Sequence, residues 1–442
     1  MDSSRKRWAL HGALFSLAVP NILSNISVPL LSSVDTGLMG SLSAAHIGAV
    51  GVGSMLFNFL YWNMSFLRMG TTGLTAQAYG RADTAEVGTI LGRALLLALF
   101  LGGLLLLLRG PLFHLGAWLM NVPAEQYELV ATYFYIRLLA APATILLMTT
   151  MGWFFGLQNA WYPLALTILI NTCNIILSYV LVKQYDYGVA GVAYGTVGAQ
   201  YVGATVGLLL IGWRYRSYWS TVTWDTLLHL QAFRSFLTIN RDIFLRTFCL
   251  TVVFGFFYSQ SAQAGKQVLA VQTILMQFLS WMSFGVDGFA YAAESLVGKY
   301  VGARAPKTAR RAVNISMGWG MGLAVLYSLT YGFLGPFFIH LFTDQVAVYE
   351  AALPYLPWLV LAPLLGTPCY IWDGVYVGLT AVKTMRNSMI GATLIFVVGY
   401  WGLRQSLTLD TPTLLWTAML LFFVARGGIQ TIYYKRYGLA LS

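Results

Sequence analysis

Long runs of apolar residues, separated by short charged punctuation, recur along the whole chain. A helix needs roughly 20 apolar residues to cross the hydrocarbon core of a bilayer. The runs predict twelve such spans, near 10–39, 47–76, 87–108, 128–153, 160–183, 188–213, 236–260, 266–294, 309–336, 351–378, 386–403 and 411–434. They are continuous rather than ten-residue alternations, and backbone groups in lipid have to be satisfied within their own segment, so helices are predicted and not a barrel. The fold class is all-α: a polytopic membrane protein with no substantial length left for a soluble domain.

Sliding the sequence against itself by half its length brings Ala76–Arg81 (AQAYGR) close to Gly298–Ala303 (GKYVGA) and lays Gly80 on Gly302. Both glycines end a long apolar span. Two pseudo-symmetric six-helix bundles are implied: 1–213 as the first, 214–235 as a cytoplasmic linker and 236–442 as the second. An even number of spans per repeat gives both the same orientation, related by an axis along the membrane normal, a symmetry typical of transporters. Glycines four apart, Gly191 with Gly195 and Gly318 with Gly322, read as close helix packing and carry no function.

Composition agrees, with 58% hydrophobic and only 9% charged residues. The net charge of +11 is a topology signal more than a nucleic-acid signal, and no nucleic-acid partner is expected. With a cytoplasmic N-terminus, sixteen Lys and Arg fall on inner segments and four (Arg109, Lys183, Lys266, Arg404) on outer ones. The positive-inside rule then places both termini in the cytoplasm of a bacterial-type inner membrane. The basic start runs into the first span with no small-residue cleavage site, so no cleaved signal peptide is read. Cys173, Cys249 and Cys369 stand singly inside spans, which suggests neither a disulfide framework nor a metal site.

Candidate chemistry lies in the acids inside apolar spans. Asp35, well within the first, is the foremost: an intramembrane carboxylate is costly, and desolvation raises its affinity for protons toward neutrality. The alternative is a neutral acid hydrogen-bonded to a neighbouring helix. Pro20 and Pro29 share that helix, and Pro20 is a candidate hinge or a plain kink. It precedes Asp35 by fifteen residues, roughly 22 Å of helix, so coupling between them runs along the helix. The fifth span carries Asn171, Asn174 and Ser178, and the sixth Thr196, able to hydrogen-bond a carboxylate or to act as polar glue between helices. In the second half Asp287 and Glu294 are seven apart on one face, and Asp373 lies within the tenth span; three acids on one cavity would attract cations. Glu294 is also placed to pair with Lys299 or Arg304, and Asp242, flanked by Arg241 and Arg246, reads as structural. The 26 Phe, 26 Tyr, 14 Trp and 15 Met would serve either an accommodating pocket or interfacial belts. Nucleotide-binding GxxxxGK[ST], HExxH, GxSxG and DDxxD-type signatures are missing from the sequence, so an ion gradient rather than ATP is the expected energy source, and no cofactor or enzyme activity is expected.

Taken together, PLLSSVDTGLMG (29–40), FNFLYW (57–62), FLRMGTTGLTAQAYG (66–80), NRDIFLR (240–246), DGFAYAAE (287–294) and WDGVYVG (372–378) resemble multidrug and toxic compound extrusion transporters of the DinF-type branch. The resemblance covers nearly the whole chain. It implies a V-shaped pair of six-helix lobes that alternate between inward and outward opening while exchanging H+ or Na+ for amphiphilic, mostly cationic compounds, in a monomer embedded in membrane lipid. It also implies that Asp35 is the coupling acid, that the first helix bends at Pro20, and that Asn174, Ser178 and Thr196 are partners of Asp35. Ser178 departs from the pattern, where a second acid is usual; one carboxylate among neutral oxygens suits H+ better than Na+. Asp373 resembles a cation site of other branches, but no seventh-span partner is matched to it. A lipid-linked oligosaccharide flippase of the same wider superfamily is the alternative, and it would want several basic residues in its cavity; only Arg68 and Arg137 are candidates.

Overall fold

A computed structural model describes residues 3–40, 44–219 and 222–438, with side chains described for 8–27, 46, 48–219, 222–436 and 438. Among the described residues there is no strand. The helices are α1 (Ser3–Gly40), α2 (Ala44–Met64), α3 (Phe66–Gly80), α4 (Thr84–Leu107), α5 (Arg109–Leu119), α6 (Ala124–Leu138), α7 (Ala141–Gly156), α8 (Trp161–Lys183) and α9 (Gly188–Arg214). They continue with α10 (Trp224–Leu227), α11 (Leu230–Gln263), α12 (Lys266–Gly302), α13 (Pro306–Phe342), α14 (Val346–Ala352), α15 (Leu356–Gly378), α16 (Val382–Ser406) and α17 (Thr411–Tyr437). Nine helical stretches of the described residues are long and apolar enough to cross a membrane, and ten if the bent pair α6–α7 counts as one. The segments α2–α3 and α16 complete the twelve expected spans.

Local chemistry explains where the elements depart from the apolar runs. The expected span 128–153 is two helices meeting at 49°. Pro142 stands at the start of α7, and without an N–H it cannot extend the hydrogen-bond ladder of α6. The span 47–76 breaks at Ser65, whose hydroxyl donates to the carbonyl of Trp62 at 2.6 Å and competes with the helix for it. Apolar α5, at eleven residues too short to cross, falls in a stretch read from sequence as a connection.

Packing divides the chain into an N-unit, Leu23–Leu237, and a C-unit, Met1–Ile22 with Thr238–Ser442. This differs from the sequence boundaries at both ends. The part of α1 before Leu23, expected in the first bundle, packs with the second half: Phe15 lies edge-on to Trp319 of α13 (centroids 4.8 Å) and to Phe289 of α12 (6.0 Å). The expected linker docks on the N-unit. Arg93 of α4 donates to the carbonyls of Thr226 and Leu227, and Trp153 packs edge-on against Tyr218.

Inside the units the half-length repeat is visible in the backbone. Left-handed conformations occur at Ala82 and Arg304 and again at Gln158 and Thr380, and the shift that lays Gly80 on Gly302 superimposes both pairs. Helix–helix contact repeats as well. In the N-unit, Gly152 and Gly156 of α7 lie on the α3 backbone, where a Cβ would meet the carbonyl oxygens of Arg68 at 2.4 Å and Thr72 at 3.0 Å. In the C-unit, Gly374 and Gly378 of α15 lie likewise on α12, at the carbonyl oxygens of Ala290 (2.1 Å) and Glu294 (2.6 Å). Only hydrogen in place of a side chain permits so close an approach.

Candidate functional site

In the N-unit the residues expected around the first-span acid converge from α8 and α9. Asn174 and Ser178, one turn apart on α8, are both buried, and the Asn174 amide donates to the Thr196 hydroxyl of α9 at 2.8 Å. Gly195 sits against Ser178: a Cβ there would lie 2.3 Å from the Ser178 hydroxyl. The absence of that carbon is what lets α9 close onto α8 here. The Asn174 carbonyl oxygen and the Ser178 hydroxyl have no partner among the described residues.

One turn earlier on the same face of α8, Asn171 donates to Ser27 of α1 at 3.0 Å, and Thr167 accepts from Ser24 at 2.9 Å. The second half of α1 is thus fixed to α8 by two consecutive hydrogen-bonded rungs. Asp35 lies on helical α1, but with Pro29 it falls outside the residues whose side chains are described. Pro20 is described, is buried, and leaves the carbonyl of Ser16 without its usual i+4 donor. It stands just before the point where α1 passes from the packing of the C-unit to that of the N-unit.

Sequence reasoning gave Arg137 no part in this site. Its guanidinium, on α6, donates to the hydroxyls of Thr196 (3.3 Å) and Tyr133 (3.1 Å), and it stacks over the Phe57 ring at 5.5 Å. Tyr133 in turn contacts Ser54 of α2 at 3.2 Å. The polar network Asn174–Thr196–Arg137–Tyr133–Ser54 therefore joins four helices around one cation. The available signal was an arginine in the middle of an apolar span, which needs a polar cluster to hold it.

In the C-unit, Asp373, a secondary cation candidate from the sequence, is held in an ion-pair cluster. Its carboxylate, buried on α15, is engaged by the guanidinium groups of Arg246 (α11) and Arg426 (α17), and Gln430 donates to it at 2.8 Å. A metal cation would have to displace an arginine from an enclosed ion pair. The seventh span does contribute the missing partner of Asp373, but the partner is a base. Of the three acids, Asp373 and Glu294 are buried and Asp287 is partly exposed. Asp242 is structural as expected, paired with Arg241 at 3.0 Å and with Arg386 of α16 at 2.7 Å. Among the described residues no group of His, Cys, Asp and Glu is arranged to hold a metal.

Against known proteins, the MatE family model matches residues 20–180 and 243–401. The chain is 36% identical to DNA damage-inducible protein F of Escherichia coli (strain K12), over 94% of this chain and 90% of that protein. It is 22% identical to Probable multidrug resistance protein NorM of Bacillus cereus (strain ATCC 10987 / NRS 248), over 90% and 87%. A solved structure described as MATE in the bent conformation superposes with a TM-score of 0.89 over 98% of this chain and 96% of the other, at 18% identity, which supports the fold. A match over both halves of the chain, the repeated α3–α7 and α12–α15 packing and the near full-length E. coli relative lead to one assignment: the chain belongs to the MatE, or multidrug and toxic compound extrusion, family of membrane transporters, in its DinF-type branch.

Proposed function

We propose that this transporter exports amphiphilic, mostly cationic compounds across the inner membrane in exchange for protons, with Asp35 taking and releasing the proton and α1 bending at Pro20. The observation that carries the reading is the register of α1 on α8. Ser24 meets Thr167 and Ser27 meets Asn171, so the two helices advance together. Eleven residues beyond Ser24 is Asp35, and eleven beyond Thr167 is Ser178. Eleven residues are just over three whole turns, so continuing the register brings position 35 level with Ser178, on the face of the Asn174–Thr196 network.

The surroundings favour a proton over sodium. With Ser178 in place of an acid, the site offers one carboxylate and neutral oxygens, and Arg137 adds a positive charge that a bound metal ion would have to tolerate. A proton needs only the carboxylate. The basic residues of the inner segments support cytoplasmic termini, and a monomer is sufficient for the mechanism.

The test is efflux of a fluorescent lipophilic cation from liposomes containing the purified protein, under imposed proton or sodium gradients, for wild type and Asp35→Asn. Transport driven by protons alone and lost in the variant is expected. An Asp35→Asn protein that exports at the wild-type rate rules the assignment out, and dye movement under neither gradient favours the lipid-linked oligosaccharide flippase.

A further inference from the structure

The sequence from Ser295 to Thr343 contains no acidic residue, and five cations are concentrated between Lys299 and Arg311. Where α12 ends and α13 begins, these two helices and the start of α1 line an open cavity of about 500 Å³ within the C-unit. Its polar lining is His11, Tyr300, Thr308, Arg311 and Asn314. Every one of these side chains can donate a hydrogen bond, Arg311 is charged, and none is a carboxylate. For His11 the donor is defined: Trp319 donates its indole N–H to His11 Nδ1 at 3.0 Å, which leaves Nε2 to carry the ring proton. The chemistry suits a phosphate.

Two further features separate a lipid phosphate from a soluble one. Leu10 and Ile315 supply an apolar wall beside the polar one. The indoles of Trp8 (77% exposed) and Trp319 (44% exposed) flank His11, with ring centroids 6.2 and 6.3 Å away. Outward-facing tryptophans at one level of a membrane protein mark the headgroup zone, so the cavity opens where headgroups are. We propose that it is a binding site for an anionic phospholipid. The phosphate is held by Arg311 with hydrogen bonds from the neighbouring donors, and an acyl chain leaves along Leu10 and Ile315. Because one wall belongs to α1 and the other two to α12 and α13, the lipid tethers the amino-terminal turns of α1 to the C-unit. This assignment is independent of the coupling ion.

Native mass spectrometry of the full chain in detergent, with phosphatidylglycerol and phosphatidylcholine of identical acyl chains in competition, tests it. One phosphatidylglycerol per chain should be retained in preference to phosphatidylcholine. Arg311→Gln should weaken that preference about tenfold, the scale of one charge-assisted hydrogen bond. Arg310→Gln, which removes a charge from the same helix without touching the cavity lining, should leave it intact. Equal retention of the two lipids, or equal loss in both variants, reduces the site to a diffuse basic rim and overturns the proposal. Displacement of the lipid by millimolar inorganic phosphate would make the occupant a soluble anion and overturn it too.

Discussion

The Thr196 hydroxyl accepts the side-chain amide of Asn174 at 2.8 Å and the guanidinium of Arg137 at 3.3 Å, while donating its own proton to the Val192 carbonyl at 3.1 Å. Both lone pairs and the proton are in use, so this oxygen is the hub of the N-unit network. Thr196→Val keeps the shape and removes the hub, leaving two donors without their acceptor at a cost of about 1–3 kcal/mol. A lower unfolding temperature and slower dye efflux are expected, with Thr196→Ser recovering both. A valine protein with wild-type stability would mean that water satisfies the donors and that the hydroxyl is dispensable.

In the C-unit, Asp373 is in direct contact with both Arg246 and Arg426. Asp373→Asn would leave two buried cations facing one another without that counterion, a loss on the order of 3–5 kcal/mol. Arg426→Met removes one of the two cations and leaves Asp373 paired with Arg246, so it should cost less. Thermal unfolding of the purified proteins checks the order. If the methionine variant is the weaker of the two, the charge balance has been misread.

What could be read from sequence was whatever lies in a periodic pattern. The apolar runs marked the twelve spans, and the match of Gly80 with Gly302 exposed a repeat that the paired left-handed residues and the glycine contacts reproduce. Asn174, Ser178 and Thr196 were found because polar residues are conspicuous in lipid-spanning helices. The partners of Asp373 were not, since Arg246 lies 127 residues before it and Arg426 53 after, and no local pattern connects them. The chemistry, unlike the backbone, is not repeated. The shift that lays Gly80 on Gly302 carries Asn174, Ser178 and Thr196 onto Phe396, Tyr400 and Ala418, so the N-unit site has no copy in the C-unit.

The repeated glycine contacts predict matched sensitivities. A methyl at Gly374 would lie 2.1 Å from the carbonyl oxygen of Ala290, and one at Gly152 2.4 Å from that of Arg68. Both neighbours are helix backbone and cannot rotate away, so alanine at either position should cost about 1–3 kcal/mol or more. Gly103 on α4 has nothing within 4 Å of the added carbon, and Gly103→Ala should be neutral or slightly stabilising. Folded yield and unfolding temperature in detergent separate the three, and a Gly374→Ala protein matching Gly103→Ala would show that α12 and α15 can move apart freely.

At the start of α17, outside the spans, Asp410 accepts hydrogen bonds from the Thr413 hydroxyl (2.6 Å), the Thr413 backbone N–H (3.2 Å) and the Tyr355 hydroxyl (2.7 Å). Burial alone would raise its carboxyl, but these bonds outweigh burial and hold it below the ordinary value. A carboxyl depressed in the folded state stabilises above its unfolded value of about 3.9, and the contribution disappears as pH falls through the folded value. Removing the cap with Asp410→Ala should cost about 1 kcal/mol at neutral pH. The unfolding temperatures of variant and wild type should then converge as the pH falls below about 4. A gap that persists undiminished into stronger acid would mean that the charged carboxylate is not what caps the helix.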